Sequence, residues 1–356
     1  MRTLRFLLIF SSGLVLLSCL YSRDNAFDPS RCEPSCTDGR VCYVGKCIDV
    51  DASIADGAPE DGLKSDSPQD GIIDLGKIDS GRECEHPPVV ASCSSGLCTI
   101  PAGCFTMGSS VGDDSCRDPD EPSHLVTLTH DFVIMITEVT QSDFQSLMGY
   151  QPAAFSDCGP DCPVETVSWH EAVAYCNALS AQNGDASCYT CTDSGAAVDC
   201  VEASAYAGAN VYNCPGFRLP TEAEWEYAYR AGTSTPLYNG NITSCTGSDT
   251  NADKIAWYAN NSSGTPHSVN QRDANAWGLH DMAGGVYEWC HDWYHSDLGA
   301  SAVIDPWGST PASFRVLRGG SWFRNAEQLR ASARHELSPA ARSDHAGFRC
   351  IKTLLP

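Results

Sequence analysis

The residues best equipped for chemistry in this 356-residue chain are its sulfur, imidazole and carboxylate side chains. Cys290, His291 and His295 stand close together in EWCHDWYH, a soft thiolate beside two imidazoles, which are donor types that copper accepts. The competing reading, and the one we expect, bridges Cys290 and leaves both histidines on a solvated surface. Between Asn177 and Arg218 lie Cys188-x-x-Cys191, Cys200 and Cys214. A Cys-x-x-Cys pair lets two thiolates reach one tetrahedral zinc ion. Cys32, Cys36, Cys42 and Cys47 form a second close-set group, and Cys158-x3-Cys162 a third. The chain holds 20 cysteines, far above what a reduced cytosolic protein carries, so an oxidising compartment follows. Disulfides are therefore expected over zinc in each of these groups. Nineteen cysteines follow Cys19, an odd number, so at least one thiol is free or joins another molecule.

The elements that must position these groups are short. Thr140-x-x-Asp143, Ser168-x-x-Glu171 and Thr221-x-x-Glu224 each place a hydroxyl three residues before an acid, the pattern in which two side chains satisfy orphan backbone donors at a helix start. The first helix is expected to end near Gly149 and the third near Gly232, both suited to a left-handed C′ position. Brief strands such as HLVTLTHDFVI and FRVLRGG sit among Gly, Asn and Pro turns. The pattern predicts an α+β domain whose core is built largely by loops.

Four strings, RLPTEAEWEYAYRAG, NAWGLHDMAGGVYEW, VLRGGSW and AGFRC, occur in that order, with HLVTLTHDFVIMITEVTQSDF and PVETVSWHEAVAYCN as further blocks. From about Ile100 to the C-terminus they make the chain resemble the formylglycine-generating enzyme (sulfatase-modifying factor) family. The resemblance implies a compact, loop-rich fold with little regular secondary structure, related to C-type lectin-like domains. Catalytic members bind Cu(I) between two cysteines, one shortly after the GGS turn and one about five residues on, and use oxygen to convert a substrate cysteine to formylglycine. Here GGSWFRNAEQLRASAR places Arg324 and Leu329 in those positions, neither of which coordinates copper. No catalytic residue and no copper are expected.

The resemblance also implies a disulfide between Cys176 and Cys350. A second family bridge would need cysteines at Tyr229 and Ala331, and both are absent together. In calcium-binding members the string matching DMAGGVYEW supplies ligands that fall here on Asp281, Gly284, Val286 and Glu288, oxygen donors suited to a hard cation. Gly285, and Asp281 itself, stand where asparagines are usual. The plainer reading pairs Glu288 with an arginine such as Arg318. Asn251 and Asp253 lie in the region of the family's other calcium site. Arg218, Arg318, Arg334 and Arg349 are expected to buttress loops through carboxylate pairs. Trp225, Trp289 and Trp322 are expected to pack in the core, while Trp257, Trp277, Trp293 and Trp307 are further candidates to line a groove.

Toward the N-terminus, Arg2 and Arg5 precede a short apolar run ending Leu16-Leu17-Ser18-Cys19, which looks like a bacterial lipoprotein signal with Cys19 as the lipidated residue. Leu20, in place of Asp, favours the outer membrane. Residues 1–19 are thus the signal, 20–48 a small Cys-rich module, 49–83 an acidic linker and 84–356 the large domain. The linker is Asp, Gly, Pro and Ser with few apolar residues, too few to offset the entropy of ordering it. A formal charge of −23 excludes a nucleic-acid surface, which needs surplus Lys and Arg. The expected function is non-catalytic binding of a peptide or glycan by a lipid-anchored envelope protein. The rivals are a formylglycine-generating or related metal-dependent oxidase, and a structural subunit of a surface assembly.

Overall fold

The computed structural model describes residues 90–109, 116–308 and 310–355, together with backbone strands at Ile9–Phe10, Gly13–Leu14, Arg40–Tyr43 and Lys46–Asp49. The chain divides into two compact units, Met1–Ile73 and Asp74–Pro356. In the first, Arg40–Tyr43 and Lys46–Asp49 pair antiparallel with Cys42 opposite Cys47. Cys19 and residues 50–83 lie outside the described residues.

In the second unit every expected helix start is present. Thr140 caps α1 (Gln141–Met148) by accepting from the Asp143 amide, and Ser168 and Thr221 form complete capping boxes on α2 (Trp169–Gln182) and α3 (Glu222–Arg230). Gly149 closes α1 in the left-handed conformation as expected. The end of α3 differs by one residue. Ala231 takes the left-handed cap at φ 46°, and Gly232 at φ 87° continues the turn, so the chain leaves the helix before its glycine.

Three larger sheets and the two-stranded hairpin of Tyr189–Thr192 with Asp199–Glu202 complete the unit. One runs Phe217–Arg218, Ile351–Thr353, Phe132–Met135, Leu97–Ile100, Ser92–Ser94, and a second His335–Leu337, Arg315–Arg318, Tyr287–Trp293, Ala346–Gly347. The third joins Val303–Ile304, His124–Leu128 and Gly103–Met107. The Tyr287–Trp293 strand is a partition between two apolar cores. Tyr287 and Trp289 pack into one with Leu317, and Cys290 packs into the other with Val316, as the two-residue period of a strand requires. Mixed sheet and helix with long loops between is the α+β architecture expected.

Covalent staples hold the loops. Cys158 bonds Cys162, Cys188 bonds Cys214 and Cys191 bonds Cys200, so the inserted cysteines form disulfides and not a zinc site. Cys93 bonds Cys98, and Cys116 bonds Cys245 across 129 residues of sequence.

The larger adhesive is ionic. Glu222, Glu224 and Glu226 of α3 are all buried, and each grips an arginine from outside the helix. Glu222 accepts from Arg334 Nε at 2.6 Å and Nη2 at 2.9 Å. Glu224 takes the fork of Arg218 at 2.8 and 2.7 Å, and Glu226 pairs with both Arg318 and Arg230. Arg330 pairs with Glu121 and Arg349 with Glu288 in the same bidentate manner. Burial alone would raise the Glu222 and Glu224 carboxyls, but the facing guanidinium groups outweigh it and hold both below the usual range. Arg218, Arg318, Arg334 and Arg349 thus do the buttressing expected of them.

Removing one partner of such a pair strands the other charge in the core. Glu226→Ala is expected to lower unfolding free energy in urea by about 3–5 kcal/mol, whereas Asp199→Ala, at an exposed site, changes it by less than about 0.5 kcal/mol. His130 supplies a pH test, sitting 2.9 Å from Glu224 and 3.3 Å from Asp305. Burial would lower its pKa and Arg218 also opposes protonation, yet hydrogen bonds to Asp305 and Glu224 push it up to about 9. A raised histidine stabilises fully below its unfolded value and loses that contribution as pH rises through the folded one. Stability should therefore fall between about pH 6.5 and 9, and His130→Gln should flatten that fall in urea titrations.

Candidate functional site

The GGSW turn leaves the Arg315–Arg318 strand through Gly319 and Gly320, both at positive φ. A Cβ on Gly320 would stand 2.7 Å from the Gln328 carbonyl and 2.8 Å from Leu329 Cδ2, so the turn requires glycine there. The segment beyond is held by its backbone. Trp322 N donates to Gly285 O at 2.7 Å, Ser262 Oγ donates to Trp322 O at 2.8 Å, and Ala259 N donates to Arg324 O at 2.9 Å. A groove of about 380 Å³ opens on this segment, lined by Phe323, Arg324, Asn325, Glu327, Gln328 and His335.

The two positions to which the family resemblance assigns copper ligands differ sharply in placement. Leu329, at the end of the 3-10 turn Ala326–Leu329, is fully buried and belongs to the apolar core. Arg324 is half-buried and lines the groove. Neither carries a donor atom for Cu(I). Tyr229 donates its hydroxyl to Leu329 O at 2.6 Å, so the position of the lost second bridge is filled by a packed phenol.

The alternative sulfur site does not assemble. Cys290 is a free thiol, fully buried, so the expectation of a bridged Cys290 is wrong; so is that of a solvated His291, which is 1% exposed. Both lie in the Tyr287–Trp293 strand, and adjacent strand residues point to opposite faces. Cys290 therefore enters one core while His291 Nδ1 meets the Tyr189 hydroxyl at 3.2 Å in the other. Burial raises the Cys290 thiol, helped by Glu222 and Asp292, and burial with Arg315 holds His291 well below its usual pKa. His295 lies beyond the strand, with Nε2 2.8 Å from Thr310 O. Among the described residues no three His, Cys, Asp or Glu side chains gather at metal-holding distance.

Cys176 and Cys350 are brought together, both buried, with sulfurs 2.7 Å apart and not bonded at that separation. Of the calcium set, Asp281 is buried in the left-handed region at φ 56° and its Oδ2 accepts from Asn270 N at 2.6 Å. Gly284 at φ 76° presses on Trp257 O, where a Cβ would come to 2.3 Å. Val286 is buried, and its amide faces Glu138 Oε1 at 3.4 Å. Glu288 does not fit as a ligand. Both its oxygens hold the Arg349 fork, and Oε2 also accepts from Trp225 Nε1 at 2.9 Å. The ion-pair reading is thus the right one for Glu288, with Arg349 as partner in place of Arg318, which Glu226 and Glu222 occupy. Asn251 and Asp253 go to local turns, Asn251 Nδ2 donating to Asn241 O and Asp253 Oδ1 accepting from Tyr258.

Sequence reasoning missed Glu138. It is 2% exposed, its Oε2 has no partner, and burial followed by repulsion from Asp281 raises its pKa well above the usual value. Its signal was one acid in ITEVT, just ahead of the α1 cap. Also missed were the aromatic and imidazole walls of the groove. Tyr287 stacks on His335 at 4.9 Å, and Phe323, 59% exposed, stacks on His345 at 6.0 Å. Trp225, Trp289 and Trp322 are buried as expected, Trp277 packs in the core and not in a groove, and Trp257 lies between Arg272 and His267.

Residues 87–354 match the family described as the sulfatase-modifying factor enzyme 1-like domain. Serine/threonine-protein kinase Pkn1 of Chlamydia trachomatis is 39% identical over 149 residues, 41% of this chain, and the chain spans only 23% of that protein's length. The formylglycine-generating enzyme of Thermomonospora curvata is 30% identical over 296 residues, covering 72% of this chain and 93% of that one. Among solved structures, Treponema denticola variable protein 1 superimposes with a TM-score of 0.61 at 32% identity, over 76% of this chain and 100% of its own. A loop-rich α+β domain with this GGSW turn, these matched residues and these relatives belongs to the formylglycine-generating enzyme, or sulfatase-modifying factor, family.

Proposed function

We propose that this chain is a lipid-anchored envelope protein whose sulfatase-modifying-factor domain binds a peptide or glycan in the groove beside the GGSW turn and does not oxidise it. The observation that carries this reading is that the two positions to which the family resemblance assigns copper-binding thiolates hold the groove-lining guanidinium of Arg324 and the buried isobutyl group of Leu329. Cys19 is the lipidated residue and the acidic linker the tether, with the outer membrane as the site. Membrane attachment rests on that anchor, for among the described residues no helix is long and apolar enough to cross a bilayer. Among the described residues no exposed thiol is offered for linkage into an assembly, for the three cysteines outside disulfides, Cys176, Cys290 and Cys350, are all buried. The nearness of Cys176 and Cys350 supports their joining in the oxidising envelope.

Calcium is the cofactor we assign to the DMAGGVYEW turn. Asp281 keeps the role that the family resemblance gives it, and Glu138, with an unpaired buried oxygen, replaces Glu288 as the second acid. Two buried carboxylates with raised pKa values are the setting in which a divalent cation relieves repulsion.

Incubating the full chain with Cu(I), oxygen and a Cys-x-Pro-x-Arg peptide should leave the peptide mass unchanged, and formation of the aldehyde would overturn the non-catalytic reading. Calcium at about 100 times its Kd should stabilise the domain by about 2.7 kcal/mol, and Glu138→Gln should abolish that gain in thermal melts. A melting curve indifferent to calcium in the unaltered protein would remove the cofactor.

A further inference from the structure

Every arginine among the described residues that is buried to 7% exposure or less has a glutamate within 4 Å: Glu224 for Arg218, Glu226 for Arg230 and Arg318, Glu202 for Arg315, Glu121 for Arg330, Glu222 for Arg334 and Glu288 for Arg349. Arg324 breaks the pattern. Among the described residues it has no carboxylate partner, and its Nε is buried without a hydrogen-bond acceptor. The side chains it touches are neutral, while Glu327 lines the same groove without pairing with it. The guanidinium lies 5.8 Å from the centre of the Tyr287 ring, and Nη2 is 3.5 Å from His335 Nε2. His335 is held near 4 by burial, by Arg324 and by His345, so it carries no charge at neutral pH. Arg272, also half-buried and outside the ion pairs, lies over the Trp257 ring and donates Nη1 to Asp253 O, whereas the Arg324 donors stand at an open groove, free to meet an anion.

Around it the groove offers an exposed aromatic plate, Phe323, and polar groups at Asn325, Gln328 and Glu327. Flat aromatic faces pack against the apolar face of a sugar ring, while amides and carboxylates meet its hydroxyls. Extending the binding reading above, on which this step rests, we propose that the groove takes an acidic sugar of a glycan, with Arg324 receiving its carboxylate or sulfate and Phe323 stacking on the ring. The chain's charge of −23 repels polyanions at long range, so the attraction is local and short-ranged.

Calorimetric titration of the full chain with tetragalacturonate, its methyl ester, a sulfated dextran oligomer, neutral dextran and a tetraglutamate peptide tests this. Binding of the uronate or the sulfated oligomer, but of neither uncharged sugar nor the peptide, is expected, and the stronger of the two identifies carboxylate or sulfate. Arg324→Gln should weaken it at least about tenfold with an unchanged melting temperature, Arg324→Lys should retain part of it, and rising salt should reduce it. Preference for a neutral sugar or the peptide would overturn the acidic-sugar assignment while keeping the groove as a binding site. Binding of none of them would overturn the assignment, while turnover of the cysteine peptide would sink the underlying reading separately. Equal binding by Arg324→Gln would also overturn it.

Discussion

The domain depends on one constraint: charges that cannot reach water must meet each other. With short helices and brief strands, much of its interior is loop, and loops bring polar groups into a core that an all-apolar interior would exclude. The solution lies in α3, whose Glu222, Glu224 and Glu226 spread along barely more than one turn and draw in arginines from the 218, 230, 318 and 334 regions. Their place in the first turns also sets three negative charges near the positive end of the helix dipole. Each pair has a steep desolvation cost and little net value against an apolar alternative, so the network contributes geometry more than stability. Its effect is to fix which loop lies against which.

The groove is where that matching stops. Arg330 and Arg334 just beyond the groove segment are locked to Glu121 and Glu222, and Arg318 just before it to Glu226. Arg324 between them is left with aromatic and imidazole neighbours. Where the family resemblance places copper-binding thiolates, this segment carries Arg324 at the groove and Leu329 sealed in the core. With Arg324 there, the segment offers a cationic contact at a surface opening and no soft metal donor.

Much of the scaffold was legible in the sequence because its signals are local. Ser168 and Glu171, or Thr221 and Glu224, are close enough in sequence to announce a helix start, and Cys158 and Cys162 a staple. Partners far apart were not legible. The chemistry of an arginine predicts a carboxylate, but nothing near Arg349 names Glu288, 61 residues away, or joins Cys116 to Cys245. Cys290 and His291 misled for a different reason: read as donors in a row, they are strand residues facing two separate cores. Glu138 escaped notice since a single acid before a helix cap looks like a surface residue until the fold buries it.

The segment from Ser321 to Arg324 hangs on main-chain atoms: the amide and carbonyl of Trp322 and the carbonyl of Arg324. Such anchoring is indifferent to the side chains it displays. Exchange of the exposed Phe323 or Asn325, or of Arg324, would leave those main-chain anchors in place. On the binding reading, new side chains at these places would re-cut the groove while its mounting stayed the same.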